Sequence, residues 1–133
     1  MGSKTHVTMK FLQPFRGIGN NERNCVIKIG GEKGESGPYD LLLMSLGSCL
    51  YSTFEDILEK KKLTFEKLEI DISGTKRSEV PTTLEYCNVI FSTKTDDDNK
   101  KAFIKSLELA CKYCSIYNTL THVAEMNAEI DFI

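Results

Sequence analysis

No apolar run in the sequence is longer than four residues, Leu41 to Met44. No segment therefore has the look of a membrane span or a secretory signal, and a cytoplasmic protein with no membrane partner is expected. Basic residues are not in excess: 17 Lys and Arg against 19 Asp and Glu give a formal charge of −2. A broad electropositive surface for nucleic acid is not expected either. Lys60, Lys61 and Lys62 form the one tight basic run, read as a solvated helix end. Repeats, low-complexity tracts and linkers are also missing, so 133 residues predict one domain, residues 1–133, around a single core. An even cysteine count is lacking too. Five cysteines, Cys25, Cys49, Cys87, Cys111 and Cys114, exclude full pairing, and in a cytosolic chain they do not suggest a disulfide scaffold. Some are core residues, which leaves two or three for chemistry.

The order of elements follows from hydrophobic period. Val7, Met9 and Phe11 alternate with Thr8 and Lys10, the mark of a half-buried strand. Residues 17–21, rich in Gly and Asn, read as a turn, and Asn24 to Ile29 as a returning strand, which makes an N-terminal hairpin. Residues 30–38 hold four glycines and Pro38, a loop. A helix is predicted over 39–61, with Leu43, Leu46, Leu50, Phe54, Ile57 and Leu58 on its buried face. Strands follow at 68–73 and 84–93. Asp96 to Asn99 starts a helix whose apolar stripe is Phe103, Leu107, Ala110 and Cys114; a short helix over 115–123 and a closing strand over 126–132 complete the chain. The class is α+β.

Two segments carry more than packing. Gly37-Pro38-Tyr39-Asp40-Leu41-Leu42-Leu43-Met44-Ser45-Leu46-Gly47-Ser48-Cys49 resembles the central-helix motif of the OsmC/Ohr family. Ala110-Cys111-Lys112-Tyr113-Cys114-Ser115-Ile116-Tyr117-Asn118 resembles its second-cysteine motif. The resemblance implies an OsmC-like fold, an intertwined homodimer with a two-chain β-sheet wrapped around long central helices. It also implies an enzyme that reduces organic hydroperoxides, with Cys49 as peroxidatic thiol, Cys114 as resolving thiol, and an Arg–Glu pair around the first. Two positions depart from the family. Tyr39 stands where peroxidase members carry Glu, beside Asp40, and Ser115 stands where Pro follows the second cysteine.

The chemistry asked of such a pair is simple. A thiolate is the nucleophile, a sulfenic acid is its first product, and a second thiol condenses with it to a disulfide. No metal and no organic cofactor are required; a dithiol reductant would close the cycle. Cys49, mid-helix, gains nothing from its own helix N-terminus and calls for a cation, Arg16 before Arg23. If the helix is continuous, Asp40 lies nine positions from Cys49, about 13 Å along the axis at ~1.5 Å per residue. The acidic partner then belongs to a second subunit, or Glu32 or Glu35 of the loop substitutes. Without Glu at 39, an unanchored Arg and a slow reaction are expected, to be raised by Tyr39→Glu. Cys114, at a helix start, is expected to have a lowered pKa.

Blander assignments stand beside these. A cysteine on a core helix is most often a small buried hydrophobe. Cys111-Lys112-Tyr113-Cys114 is a C-x-x-C, but it closes a helix instead of opening one after a strand, unlike a thioredoxin-type motif. A zinc site lacks a second pair, since Cys25, Cys87, His6 and His122 are scattered. Cys25 and Cys87 are read as packing residues. Tyr39, Asp40 and Tyr117 are candidates for a substrate pocket, with Tyr51 and Tyr113 nearby in sequence. The competing function is a non-enzymatic member of the same fold that binds a small apolar molecule or responds to redox state.

Overall fold

The computed structural model describes residues 2–133, which divide into two compact units, one ending at Leu42 and one running from Leu43 to Ile133. The first unit holds strands β1 (Val7–Leu12), β2 (Arg16–Asn21) and β3 (Val26–Gly30), an antiparallel sheet in the order β1-β2-β3. Residues 17–21 are thus a strand and not the expected turn; the reversal sits at residues 13–15. The reason is in the register. Phe11 faces Gly17 across the ladder, and a Cβ there would stand 2.5 Å from the Phe11 ring and 2.6 Å from the Lys10 carbonyl oxygen. Glycine at 17 makes room for an aromatic neighbour on the same face, a strand use of glycine that composition reads as a turn.

Cross-strand pairing puts Val7, Met9 and Phe11 beside Ile27 and Ile29, with Gly17 and Gly19 between them. Thr8, Lys10, Arg16 and Lys28 take the opposite face, as a period of two requires, together with the exposed Leu12, Ile18 and Val26. Val7, Met9, Phe11 and Ile27 are all exposed in the single chain. Cys25, expected in packing, is exposed as well. It stands at the rim of a small apolar cavity with Met9, Ile27 and Leu41.

Helix α1 (Pro38–Lys60) crosses the boundary without a break at Ser45–Gly47. Among the described residues it alone is long and apolar enough to cross a membrane by length and composition. Its C-terminus is closed by Lys62 in a left-handed conformation (φ 58°). Leu63 N–H reaches Leu58 O at 2.9 Å, and Lys62 N–H reaches Glu59 O at 3.0 Å. These are the paired hydrogen bonds of a Schellman cap. Of the lysine run, Lys61 is not simply solvated: its Nζ donates to buried Ser106 Oγ at 2.9 Å.

In the second unit, β4 (Lys67–Lys76), β5 (Leu84–Lys94) and β6 (Glu125–Phe132) form a sheet with β5 at its centre. β4 pairs antiparallel with β5, whereas β6 pairs with β5 in parallel. A parallel pair needs a long crossover, here a 3-10 turn (Asp97–Asn99), α2 (Lys100–Tyr113) and α3 (Ser115–Thr121). Cys87, Val89, Phe91 and Thr93 of β5 point one way and are fully buried. Leu46, Leu50, Phe54 and Leu58 of α1 and Phe103, Leu107 and Ala110 of α2 are buried with them. Phe54 anchors this core, meeting Phe91 edge-on at 5.1 Å and Phe103 at 5.8 Å between ring centroids. Gly47 lets α1 approach β4, for a Cβ there would stand 2.8 Å from Ile72 Cδ1.

Candidate functional site

The site is made where two helices meet the middle of a third. α2 ends one residue short of the predicted stripe, so Cys114 is not in it. Its backbone is extended (φ −68°, ψ 121°), and the residue closes α2 and opens α3 at once. Its N–H still completes a helical bond to Ala110 O at 2.8 Å, and its carbonyl accepts Asn118 N–H at 3.0 Å. The terminal carbonyls of α2 would otherwise lack partners. Asn118 Nδ2 supplies them, lying 3.0 Å from Cys111 O, 3.1 Å from Lys112 O and 2.8 Å from Cys114 O. Asn118 was not singled out in the sequence; its signal was an Asn near a helix junction, where side chains bond the backbone.

This junction aims Cys114 at α1. Cys114 Sγ lies 3.2 Å from Cys49 Sγ and donates to it. Both cysteines are free thiols, Cys114 buried and Cys49 partly exposed. Tyr117 N–H donates to Cys114 Sγ at 3.5 Å, and Ser115 Oγ stands 3.7 Å from Cys49 Sγ.

The two sulfurs are tuned apart. Burial pushes the Cys49 thiol up, but hydrogen bonds to its sulfur from Ile116 N–H, Cys114, the Ser115 hydroxyl and Ser115 N–H outweigh it, and the net shift is downward. Donors to the charged form favour it. Cys49 thus does receive help from a helix start, that of α3 and not its own. Cys114 goes the other way, against expectation. Burial raises it, the Tyr117 N–H only partly offsets this, and the Cys49 sulfur adds to the rise, so that it is pushed up to about 11.

A family model described as OsmC-like protein matches residues 30–129. The chain belongs to the OsmC-like family. It is 23% identical over 111 residues to Protein YhfA of Escherichia coli K12, covering 81% of this chain and 83% of that protein. Its fold matches the OsmC-like protein of Mycoplasma pneumoniae at a TM-score of 0.84 and 20% identity, over 100% of this chain and 99% of that one. It also matches the organic hydroperoxide resistance protein OhrB of Bacillus subtilis at a TM-score of 0.69 and 14% identity, over 97% and 98% of the two chains. An α+β chain with two three-stranded sheets and three helices is thus an OsmC-like fold.

Other site candidates lie as follows in this OsmC-like chain. Arg16 opens β2, and its Nε donates to Glu35 Oε2 at 2.9 Å. Glu35 Oε1 accepts Glu32 N–H at 3.0 Å. The expectation of an unanchored arginine is therefore overturned: the loop carboxylate holds it within the first unit. Asp40 Oδ2 accepts Gly37 N–H at 2.7 Å at the head of α1, a cap role. Tyr39 is half-buried in the first turn of α1. Tyr117 lines an open cavity of about 530 Å³ on the second unit with Cys111, Leu107, Met126 and Ile130. Its hydroxyl is bonded to Cys111, and burial is the chief cause holding both groups above their usual range. Cys87 is fully buried, as expected of packing. Tyr113 is mostly exposed, and the Tyr51 hydroxyl donates to Glu55 at 2.6 Å. No group of three or more metal-ligating side chains occurs among the described residues.

Proposed function

We propose that this OsmC-like protein is an enzyme that reduces organic hydroperoxides, with Cys49 as the attacking thiol and Cys114 as the resolving one. The observation that carries the reading is the 3.2 Å sulfur–sulfur contact between a partly exposed thiol shifted down and a buried thiol shifted up. The Cys49 thiolate attacks the terminal oxygen of the hydroperoxide. The O–O bond breaks, the alkoxide takes a proton from solvent and leaves as the alcohol, and Cys49 becomes a sulfenic acid. Cys114 then attacks that sulfur, water leaves, and a Cys49–Cys114 disulfide remains for a dithiol reductant to reopen. No metal or organic cofactor enters these steps. The likeness in fold to proteins named for organic hydroperoxide resistance supports the substrate class.

The working form is proposed to be a homodimer in the cytoplasm, a compartment whose reducing power suits a disulfide that must be reopened each turn. The one-domain reading of 1–133 belongs with it: the first unit's exposed apolar face gives that unit no independent core. A second reading, a binder of small apolar molecules, is favoured by one observation, the open cavity lined by Tyr117, Leu107, Met126 and Ile130. One assay decides between them. Reduced protein mixed with cumene hydroperoxide should lose two thiols per chain and turn over with a dithiol, and Cys49→Ser should abolish both. An unchanged rate in Cys49→Ser leaves the binder reading in possession.

A further inference from the structure

Once Cys49 is ionised its sulfur can only accept, so the proton in its contact with Ser115 Oγ, 3.7 Å away, must come from the serine. We propose that Ser115 is a further catalytic residue, whose hydroxyl donates to the Cys49 thiolate and performs uncharged the service of a cation. The inference rests on Cys49 being the reacting thiol, as argued above.

Three observations carry it. First, the groups facing the Cys49 sulfur are Cys114, the Ser115 hydroxyl and the N–H groups of Ser115 and Ile116. No charged side chain of the second unit is among them. Second, Ser115 is placed by its surroundings. Cys114 before it is bonded at N–H, carbonyl and sulfur, and Thr119 Oγ1 donates to Ser115 O at 2.9 Å. A short side chain on a fixed backbone has only χ1 and the hydroxyl torsion to order, far less than a long arginine. Third, the residue type matters. The proline that the OsmC-like resemblance leads one to expect here has neither a hydroxyl nor an N–H. The departure from the family pattern therefore supplies the donor.

The test is the pH dependence of Cys49 alkylation by iodoacetamide, scored at Cys49 by peptide mass in the full-length protein. A hydrogen bond to a charged group is worth about one to two pH units, and exposure of Ser115 places this one at the lower end. Ser115→Ala should move the midpoint up by about one unit, and Ser115→Thr should restore it. Nucleophilicity rises with thiol pKa at a slope of about 0.4–0.5. Below the midpoint Ser115→Ala should therefore react roughly three- to fourfold more slowly, and above both midpoints roughly threefold faster. A disturbed fold would slow both limbs alike. Should Ser115→Ala fail to fold, Ser115→Gly asks the same question. An unmoved midpoint, a Thr variant that behaves like Ala, or two limbs slowed together overturns the proposal. Alkylation needs no hydroperoxide. A protein inert to cumene hydroperoxide but with a Ser115-dependent midpoint would retain the serine contact and lose the function proposed above.

Discussion

At the scale of single residues, the site works by placing two identical side chains in unlike surroundings. Cys49 keeps contact with solvent and gathers donors, and so ionises early. Cys114 is fully buried and ionises late, at about 11. Part of that rise comes from the Cys49 sulfur itself, and it disappears once Cys49 is a neutral sulfenic acid; the part due to burial stays. Attack on the hydroperoxide should therefore reach full rate at lower pH than resolution. In the window between, sulfenic Cys49 accumulates. Dimedone trapping at Cys49 after one equivalent of hydroperoxide should be greatest on the acid side and fall as pH rises, while the Cys49–Cys114 disulfide grows and Cys25, Cys87 and Cys111 stay reduced. Trapping independent of pH, or a first-formed disulfide that includes Cys111, counts against the assignment. Both sulfurs were legible in the sequence through their flanking motifs. Their pKa values were not, because burial and backbone donors come from other elements. Glu35 stood in the sequence only as one of several alternatives to an acid at position 39; its bond to Arg16, nineteen positions away, removes the premise for Tyr39→Glu.

Among elements, the clearest reading was the long helix, because its leucines and Phe54 keep a spacing that only a helix turns into one face. Its bounds, Pro38–Lys60, lie within a residue of those predicted. β2 was the miss, since Gly17 and Gly19 mimic a turn until Phe11 is seen lying over the first. The parallel pairing of β6 was also hidden, as strand direction depends on a crossover and not on the strand's own pattern. What α1 does for the site is to carry Cys49 on a rigid rod beside the buried Leu50 and Phe54. Phe54 is fully buried between Phe91 and Phe103. Phe54→Ala removes a large side chain from three elements at once and should cost about 3–5 kcal/mol of stability. Chemical denaturation would show this as a lower midpoint with little change in slope. A loss under about 1 kcal/mol would mean that the site can collapse around the gap, and that this cluster is not the anchor of the core.

For the whole molecule, the first unit poses the question of what covers it. A sheet face lined by apolar side chains is stable when another element is packed on it, and the face of Val7, Met9, Phe11, Ile27 and Ile29 carries no polar side chain but Asn21. Yet Val7 is 57%, Met9 49%, Phe11 49% and Ile27 43% exposed in the single chain. Apolar side chains gathered on one face of a sheet are the kind of patch that an interface covers, and a dimer is the proposed form. A second copy is the occupant that suits it, because the same face on both chains gives a self-complementary contact about a two-fold axis. Sedimentation at micromolar concentration should therefore find two copies of the 15.0 kDa chain, about 30 kDa, with no folded monomer. Met9→Glu puts a carboxylate on this face and leaves both cysteines of the pair in the sequence, and it should drive the assembly toward monomer with loss of stability. Lys10→Glu, on the opposite face of the same strand, is the control and should leave the mass unchanged. A stable, folded 15 kDa species in the unmodified protein would overturn the dimer. Equal effects of the two substitutions would show that charge anywhere on β1, and not cover for its apolar face, decides assembly.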